Sequence, residues 1–509
     1  MWWWSACRAP EPPPVAFVRG AVIGGFDDGQ ALADGRRVRP HPWRPGEVVT
    51  VGGTDHVAPQ QAECVPLFSV PLGDASGAVA RGGDSPDTAL AFSPDGQWLA
   101  IGTWRGEVWV VDGWTGEVRA RRQLSETLVR QVAWSPDGAW VYAAEQSPDA
   151  LVLALSPRDL SERARYRLAD DIGSSPAPDD ADPYGVYTLP AAYALRVLPG
   201  GDLLVSGAHG WDVGQARLNA SRLVRLRGGD LVPVGAWPAA GPADAVFGAL
   251  AVEGDTVAVA LRRSATGPPP ADLPIDGVMT LSTSLAPLAA HPLAPLSPHY
   301  RSTFVWEGLA VRGDRVVIGL GDGRLALRGG VEQDVGLGTP VLAGDVPIAA
   351  SIGFVRAAGD EVFAVTSRTQ IPYGAAAPEL RPPRAHPEEN ALFAYALGPG
   401  GLERRWAWRG PHALGGLAVG PTELAVGAGP RDDGRQDLVL SSHHDGDSYA
   451  ASAIFWGTPS GGFADGERTE IYGYQAEFGV AVRDFDHDGR KDVFIPGYHN
   501  NGWSNQSYS

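Results

Sequence analysis

A twelve-residue pattern occurs twice, and it constrains the fold more than any other feature of the chain. Leu90-Ala-Phe-Ser-Pro-Asp-Gly-Gln-Trp-Leu-Ala-Ile101 is matched by Val132-Ala-Trp-Ser-Pro-Asp-Gly-Ala-Trp-Val-Tyr-Ala143, with Asp95 and Asp137 separated by 42 residues. Each copy reads as an apolar strand, a tight turn and a second apolar strand. In the turn, Pro presets φ, Asp hydrogen-bonds its own backbone, and Gly accepts a positive φ. One such unit cannot bury its own apolar faces, so repetition means that neighbouring units bury them for one another.

Weaker copies follow at Leu198–Val205, Val252–Val259, Val311–Ile318, Ala357–Ala364 and Leu417–Val426. Their spacing is uneven, as expected where insertions fall in exposed loops. Stretches 173–187, 267–275 and 371–389, rich in Pro, Asp, Ala and Gly, are the expected insertions. Hydrophobic residues make up 44% of the chain, alongside 66 Gly and 44 Pro, a balance that many short strands joined by tight turns would produce. With the following strand Glu107–Asp112 and its turn Gly113-Trp-Thr-Gly116, the units resemble the WD-repeat-like β-propellers of bacteria, in which one four-stranded blade is about this long. The resemblance implies an all-β fold: a β-propeller of about seven blades, followed by partial blades of a second type. Counting Thr422 as the seventh mark leaves that blade short of sequence, and N-terminal strands near Val48–Val51 or Cys64–Val70 are expected to complete it.

The second type is marked by Asp484-Phe-Asp-His-Asp-Gly-Arg-Lys-Asp492, with aspartates at positions 1, 3, 5 and 9 and Gly489 where the backbone turns. Carboxylates this close repel unless a cation sits among them, and oxygen ligands at alternate positions suit a hard ion. Ca2+ is the expected ion, held by Asp484, Asp486, Asp488, Asp492 and the backbone carbonyl of Arg490. The helix-loop-helix calcium hand is not implied, because position 12 is Ile495 and the flanks Phe478–Val482 and Val493–Ile495 are β-rich. The loop is expected to join two strands.

This loop also has an earlier copy: Asp433-Gly-Arg-Gln-Asp-Leu-Val-Leu440 matches Asp488-Gly-Arg-Lys-Asp-Val-Phe-Ile495. The copy carries Gly429 and Arg431 at positions 1 and 3, so only Asp433 and Asp437 remain and metal binding there is expected to be poor. Together with Phe478-Gly479, Ile454-Phe-Trp-Gly457 and Gly461-Gly-Phe463, these residues resemble the FG-GAP and VCBS repeats of integrin-α-like propellers. The resemblance implies secreted or surface modules that bind protein or carbohydrate ligands. The chain is expected to divide into residues 1–14, a Pro-rich tether after either a truncated lipoprotein-type signal or a chance match to one, 15–428, the WD-repeat-like propeller, and 429–509, the FG-GAP/VCBS pair, incomplete as it stands. The second copy reaches Ser509 before its counterpart of Ala453–Trp456, so further repeats are expected downstream.

A net charge of −18 disfavours nucleic acid and anionic membrane surfaces as partners. Two cysteines, Cys7 and Cys64, cannot form a disulfide framework, and no apolar run is long enough to cross a membrane. Trp4-Ser-Ala-Cys7 resembles the end of a bacterial lipoprotein signal, which would make Cys7 a lipid anchor and the protein a component of the cell envelope surface. Catalytic motifs are missing: there is no nucleophile elbow, P-loop or H-E-x-x-H. A non-enzymatic binding protein is therefore favoured over a propeller hydrolase or lactonase acting in the central channel. Three smaller motifs have plain structural explanations. Gly319–Gly323 is expected to be a hairpin turn, His443-His444 a solvated loop, and Arg312-Gly-Asp314 a blade turn. Trp98, Trp109, Trp134 and Trp140 are expected in the core.

Overall fold

The computed structural model describes 89–174, 189–263, 276–294, 304–367, 391–409, 421–471 and 476–498 with short interruptions, together with the strands 2–6, 22–23, 48–51, 54–57 and 65–70. Among the described residues the regular elements are strands apart from one short helix, Ala169–Ile172. No helix among the described residues is long and apolar enough to cross a membrane.

The twelve-residue pattern builds the first two sheets. Leu90–Phe92, Trp98–Gly102, Glu107–Asp112 and Val118–Gln123 form one antiparallel meander, and Val129–Trp134, Val141–Glu145, Leu151–Leu155 and Glu162–Arg167 form the next. Both Ser-Pro-Asp-Gly turns are built alike. Ser135 Oγ donates to Asp137 Oδ1 at 2.6 Å, the Ala139 amide donates to the same oxygen at 3.0 Å, and the Trp140 amide donates back to Ser135 Oγ at 2.9 Å. Ser93, Asp95, Gln97 and Trp98 repeat the arrangement, and Gly96 and Gly138 take φ of 75° and 69°.

Further sheets follow in chain order at 191–237, 245–292 and 421–471, and between them the strands of 304–336 and 351–409 join in one eight-stranded sheet through the parallel pairing of Glu307 with Phe354. The four weaker copies from Leu198 to Ala364 fall on the first turn of their four-strand runs, as expected. Residues 417–420 of the fifth lie outside the described residues; its remainder, in Pro421–Ala428, pairs with Gln436–Ser442, so that strand is joined in one sheet to the first acidic-loop copy. The expected boundary between 428 and 429 thus falls between two paired strands. The N-terminal segments pair elsewhere. Val22–Ile23 adds to the outer strand Arg468–Ile471 of this sheet, Val48–Val51 pairs with Thr54–Val57, and Val65–Val70 joins Trp2–Ala6, Pro496–Tyr498 and Ala476–Glu477 in a further four-stranded sheet. Cys7, Cys64 and most of the expected insertions lie outside the described residues.

In the first, second and fourth sheets the last strand is the most exposed. In the second sheet, Val141–Glu145 is buried at every position, whereas the outermost strand Glu162–Arg167 is half-buried or exposed. Strands covered on both faces read as unbroken apolar runs; those at the rim alternate. The core therefore lies between neighbouring sheets, as where Ala100, Val108 and Val110 meet Val132, Trp134 and Leu153. Polar groups tie the next seam, between the second and third sheets. Gln131, buried on the innermost strand, donates to the Tyr193 carbonyl at 2.8 Å and accepts the Leu195 amide at 2.5 Å.

The chain divides into two compact units, one of residues 72–295 with 309–316, the other of 1–71, 296–308 and 317–509. The first four sheets belong to the former unit. The strands at 351–409 and 421–471 belong to the latter, with a core of Phe354, Phe363, Leu392, Trp408, Leu438 and Phe455.

Candidate functional site

The acidic loop is carried by a hairpin. Ala481–Arg483 pairs antiparallel with Asp492–Phe494, and Arg483 stands opposite Asp492. Residues directly opposed across such a ladder lie about 4.5–5.5 Å apart between Cα atoms. Asp492, the last carboxylate position of the pattern, therefore sits on a paired rung, and Asp484 is the next residue in sequence after its partner. Asp492 is placed by its backbone alone, and Asp484, Asp486, Asp488 and Arg490 lie outside the described residues. Two β-strands do flank the loop, as its sequence requires.

In the earlier copy, Gly434 adopts φ of 75° and Asp437, the ninth-position carboxylate, is 3% exposed. Asp437 Oδ1 accepts the Gly457 amide at 2.7 Å. A Cβ on Gly457 would stand 2.5 Å from the Gln436 carbonyl oxygen, so this approach requires glycine. Sequence reasoning treated Asp437 as the remnant of a ligand set; the structure gives it a turn to fasten. The signal lay in Trp456-Gly457, whose indole is fully buried while its glycine meets the aspartate.

The smaller motifs resolve into blade structure. Arg312 ion-pairs with Glu253, whose Oε2 also accepts the Gly313 amide at 2.8 Å. The Gly319–Gly323 run is a contact and a turn: a Cβ on Gly319 would lie 2.4 Å from Ile352 Cγ2, and Gly323 takes φ of 78°. His443 and His444 lie outside the described residues. Trp109 and Trp134 are buried, as expected of core residues, whereas Trp98 and Trp140 are half-buried beneath Arg119 and Arg163, whose guanidinium carbons lie 4.2 and 6.0 Å from the rings.

One buried acid escaped the sequence reading. Glu145, 1% exposed, ends the second strand of the second sheet. Its Oε2 accepts the Ser147 hydroxyl at 3.1 Å, and its Oε1 is buried with no hydrogen-bond partner. Burial pushes its carboxyl above the usual 4.5, opposed by the hydroxyls of Ser147 and Ser125. Among the described residues, no group of three or more His, Cys, Asp or Glu side chains converges to hold a metal.

Residues 87–112 match the WD domain, G-beta repeat family, and residues 432–495 match the FG-GAP-like repeat family. Both matches fall on the meanders described above. The chain folds as a β-propeller. Solved structures similar to this propeller include the dihydro-heme d1 dehydrogenase NirN in complex with DHE, at 16% identity and TM-score 0.45, over 78% of this chain and 68% of that one. The C-terminal WD40 domain of Sif2 is similar at 10% identity and TM-score 0.42, over 81% and 95% of the two chains. BamB from Moraxella catarrhalis is similar at 13% identity and TM-score 0.30, over 69% and 95%. No curated protein sequence matches the chain.

Proposed function

We propose that the propeller is a non-enzymatic binding protein of the cell surface or extracellular space, and that Ca2+ bound by its acidic hairpin loop holds the C-terminal blades rigid. The observation that carries this reading is the Arg483–Asp492 pairing, which closes an eight-residue connection holding three further aspartates within the FG-GAP-like match. A loop pinned at both ends loses less chain entropy on closing around an ion than a free segment would. The ion acts structurally, because four carboxylates and a carbonyl leave few coordination positions for a substrate. A protein or carbohydrate ligand binds elsewhere on the propeller.

Thermal unfolding with excess Ca2+ and with chelator tests the reading. Calcium at about a hundred times its dissociation constant stabilises the folded form by about 2.7 kcal/mol. The Ca2+-dependent rise in Tm is expected in the native chain and lost in Asp486→Ala. Equal melting temperatures in calcium and chelator would overturn the proposal.

A further inference from the structure

We infer that Glu145 makes the second blade proton-responsive, so that its loop end is firmest when the Glu145 carboxyl is protonated and loosens as that proton is lost.

The geometry behind this is a carboxyl group enclosed at the seam of the first two blades. Glu145 stands opposite Val129 at the first rung of the innermost strand pair, where the register shifts before Gln131. Beside it runs the connection from the first blade, where Ser125 Oγ lies 3.2 Å from the Thr127 carbonyl oxygen and 3.3 Å from Thr127 Oγ1. On its other side the turn at 146–150 is closed by the Ala150 amide, which donates to the Ser147 carbonyl and hydroxyl. One carboxylate oxygen has the Ser147 hydroxyl; the other faces the Ser125 hydroxyl without a well-formed hydrogen bond. Two serine hydroxyls are fewer donors than an ionised carboxylate needs to replace its hydration, whereas a protonated one carries no charge to solvate.

The charged groups facing Glu145 are largely committed to others. Arg165 favours the ionised form but is bonded through its guanidinium to Glu162. Asp149, on the adjoining turn, disfavours it and is paired with Arg167. Arg130, on the innermost strand, donates to Gln146 Oε1 at 3.4 Å. Desolvation outweighs these influences, and the carboxyl titrates above its ordinary value. Between the ordinary value and the raised one, the closed blade therefore binds more protons than the opened one. Stability is greatest below that window, falls as pH rises through it, and levels off above it.

Hydrogen exchange at the Ala150 amide reads this directly, with Glu145→Gln as the reference because the substitution is too distant in sequence to alter intrinsic exchange there. The ratio of opening constants, native over Glu145→Gln, is expected to be flat at about pH 4 and to climb as pH rises above the ordinary value. One unit of raised pKa corresponds to a tenfold climb in total. A ratio independent of pH from about 4 to 8 would overturn the inference. Should Glu145→Gln fail to fold, Ser147→Ala serves instead. Loss of the hydroxyl that favours the ionised form must move the levelling-off to higher pH, and an unmoved profile would equally overturn the inference.

Discussion

The Glu253 carboxylate holds the Arg312 guanidinium in an ion pair and, through its other oxygen, receives the amide of Gly313. The Arg-Gly-Asp tripeptide is thereby made part of a blade turn. Its arginine is two-thirds covered, with side-chain exposure of 33%, and its glycine takes φ of 61° in that turn. Arg312→Ala is expected to leave attachment to Arg-Gly-Asp-reading receptors unchanged. It should instead lower stability by about 1 kcal/mol, the upper range for a partly exposed ion pair. Cell attachment on the immobilised protein, compared with its Tm, checks both halves. Attachment that the native chain supports and the variant loses would refute the assignment.

The Ser135 hydroxyl, followed by the Ala139 amide, holds the Asp137 carboxyl below its usual 3.8. A depressed carboxyl contributes stability that is present above 3.8 and lost as pH falls through the lowered value. Ser135→Ala removes the larger cause, so the Asp137 titration midpoint should return most of the way toward 3.8. Carboxyl carbon shifts followed by NMR measure it. Glu145, in the same blade, contributes with the opposite sign, its stabilisation being lost as pH rises.

Both Ser-Pro-Asp-Gly turns were legible because every interaction that fixes them lies within six residues: Ser135, Asp137, Ala139 and Trp140 explain one another. The partner of Pro421–Ala428 was not legible, because strand pairing is decided by which edge is free in space, and the apolar patterns at Val48–Val51 and Leu438–Leu440 are equally suited to it. Glu145 shows the same limit at the level of a side chain. In sequence it ends the run Val141-Tyr-Ala-Ala and could as well open an exposed loop. The signal was that this strand is apolar on both faces, so its end is enclosed too. At the acidic hairpin, the flanking strands were readable from β-rich composition, while the use of Asp437 as a turn fastener depended on Gly457, twenty residues away.

Asp437 and Asp486 should therefore separate two roles that look alike in sequence. Asp437→Ala orphans the buried Gly457 amide and is expected to cost about 1–3 kcal/mol. That loss should be the same in calcium and in chelator, because the fastening is an internal hydrogen bond. The effect of Asp486→Ala should appear only when calcium is present. Urea unfolding of both variants in both conditions tests the distinction. A calcium-dependent loss in Asp437→Ala would return that residue to the ligand set.

Gly319 supplies the last test, because it distinguishes a packing glycine from a ligand-binding one. Its position on the strand Arg315–Leu320 faces Ile352 at the start of Ser351–Ala358, and an added methyl would lie 2.4 Å from Ile352 Cγ2 and 2.8 Å from its Cβ. A β-branched side chain cannot swing its Cβ aside, so the neighbouring strand must move. Overpacking of this kind costs about 1–3 kcal/mol. Gly319→Ala should lower Tm accordingly, and Gly319→Ala combined with Ile352→Ala should recover part of the loss, a coupling measured by a double-mutant cycle. If the two effects simply add, Ile352 is not what requires a glycine at 319.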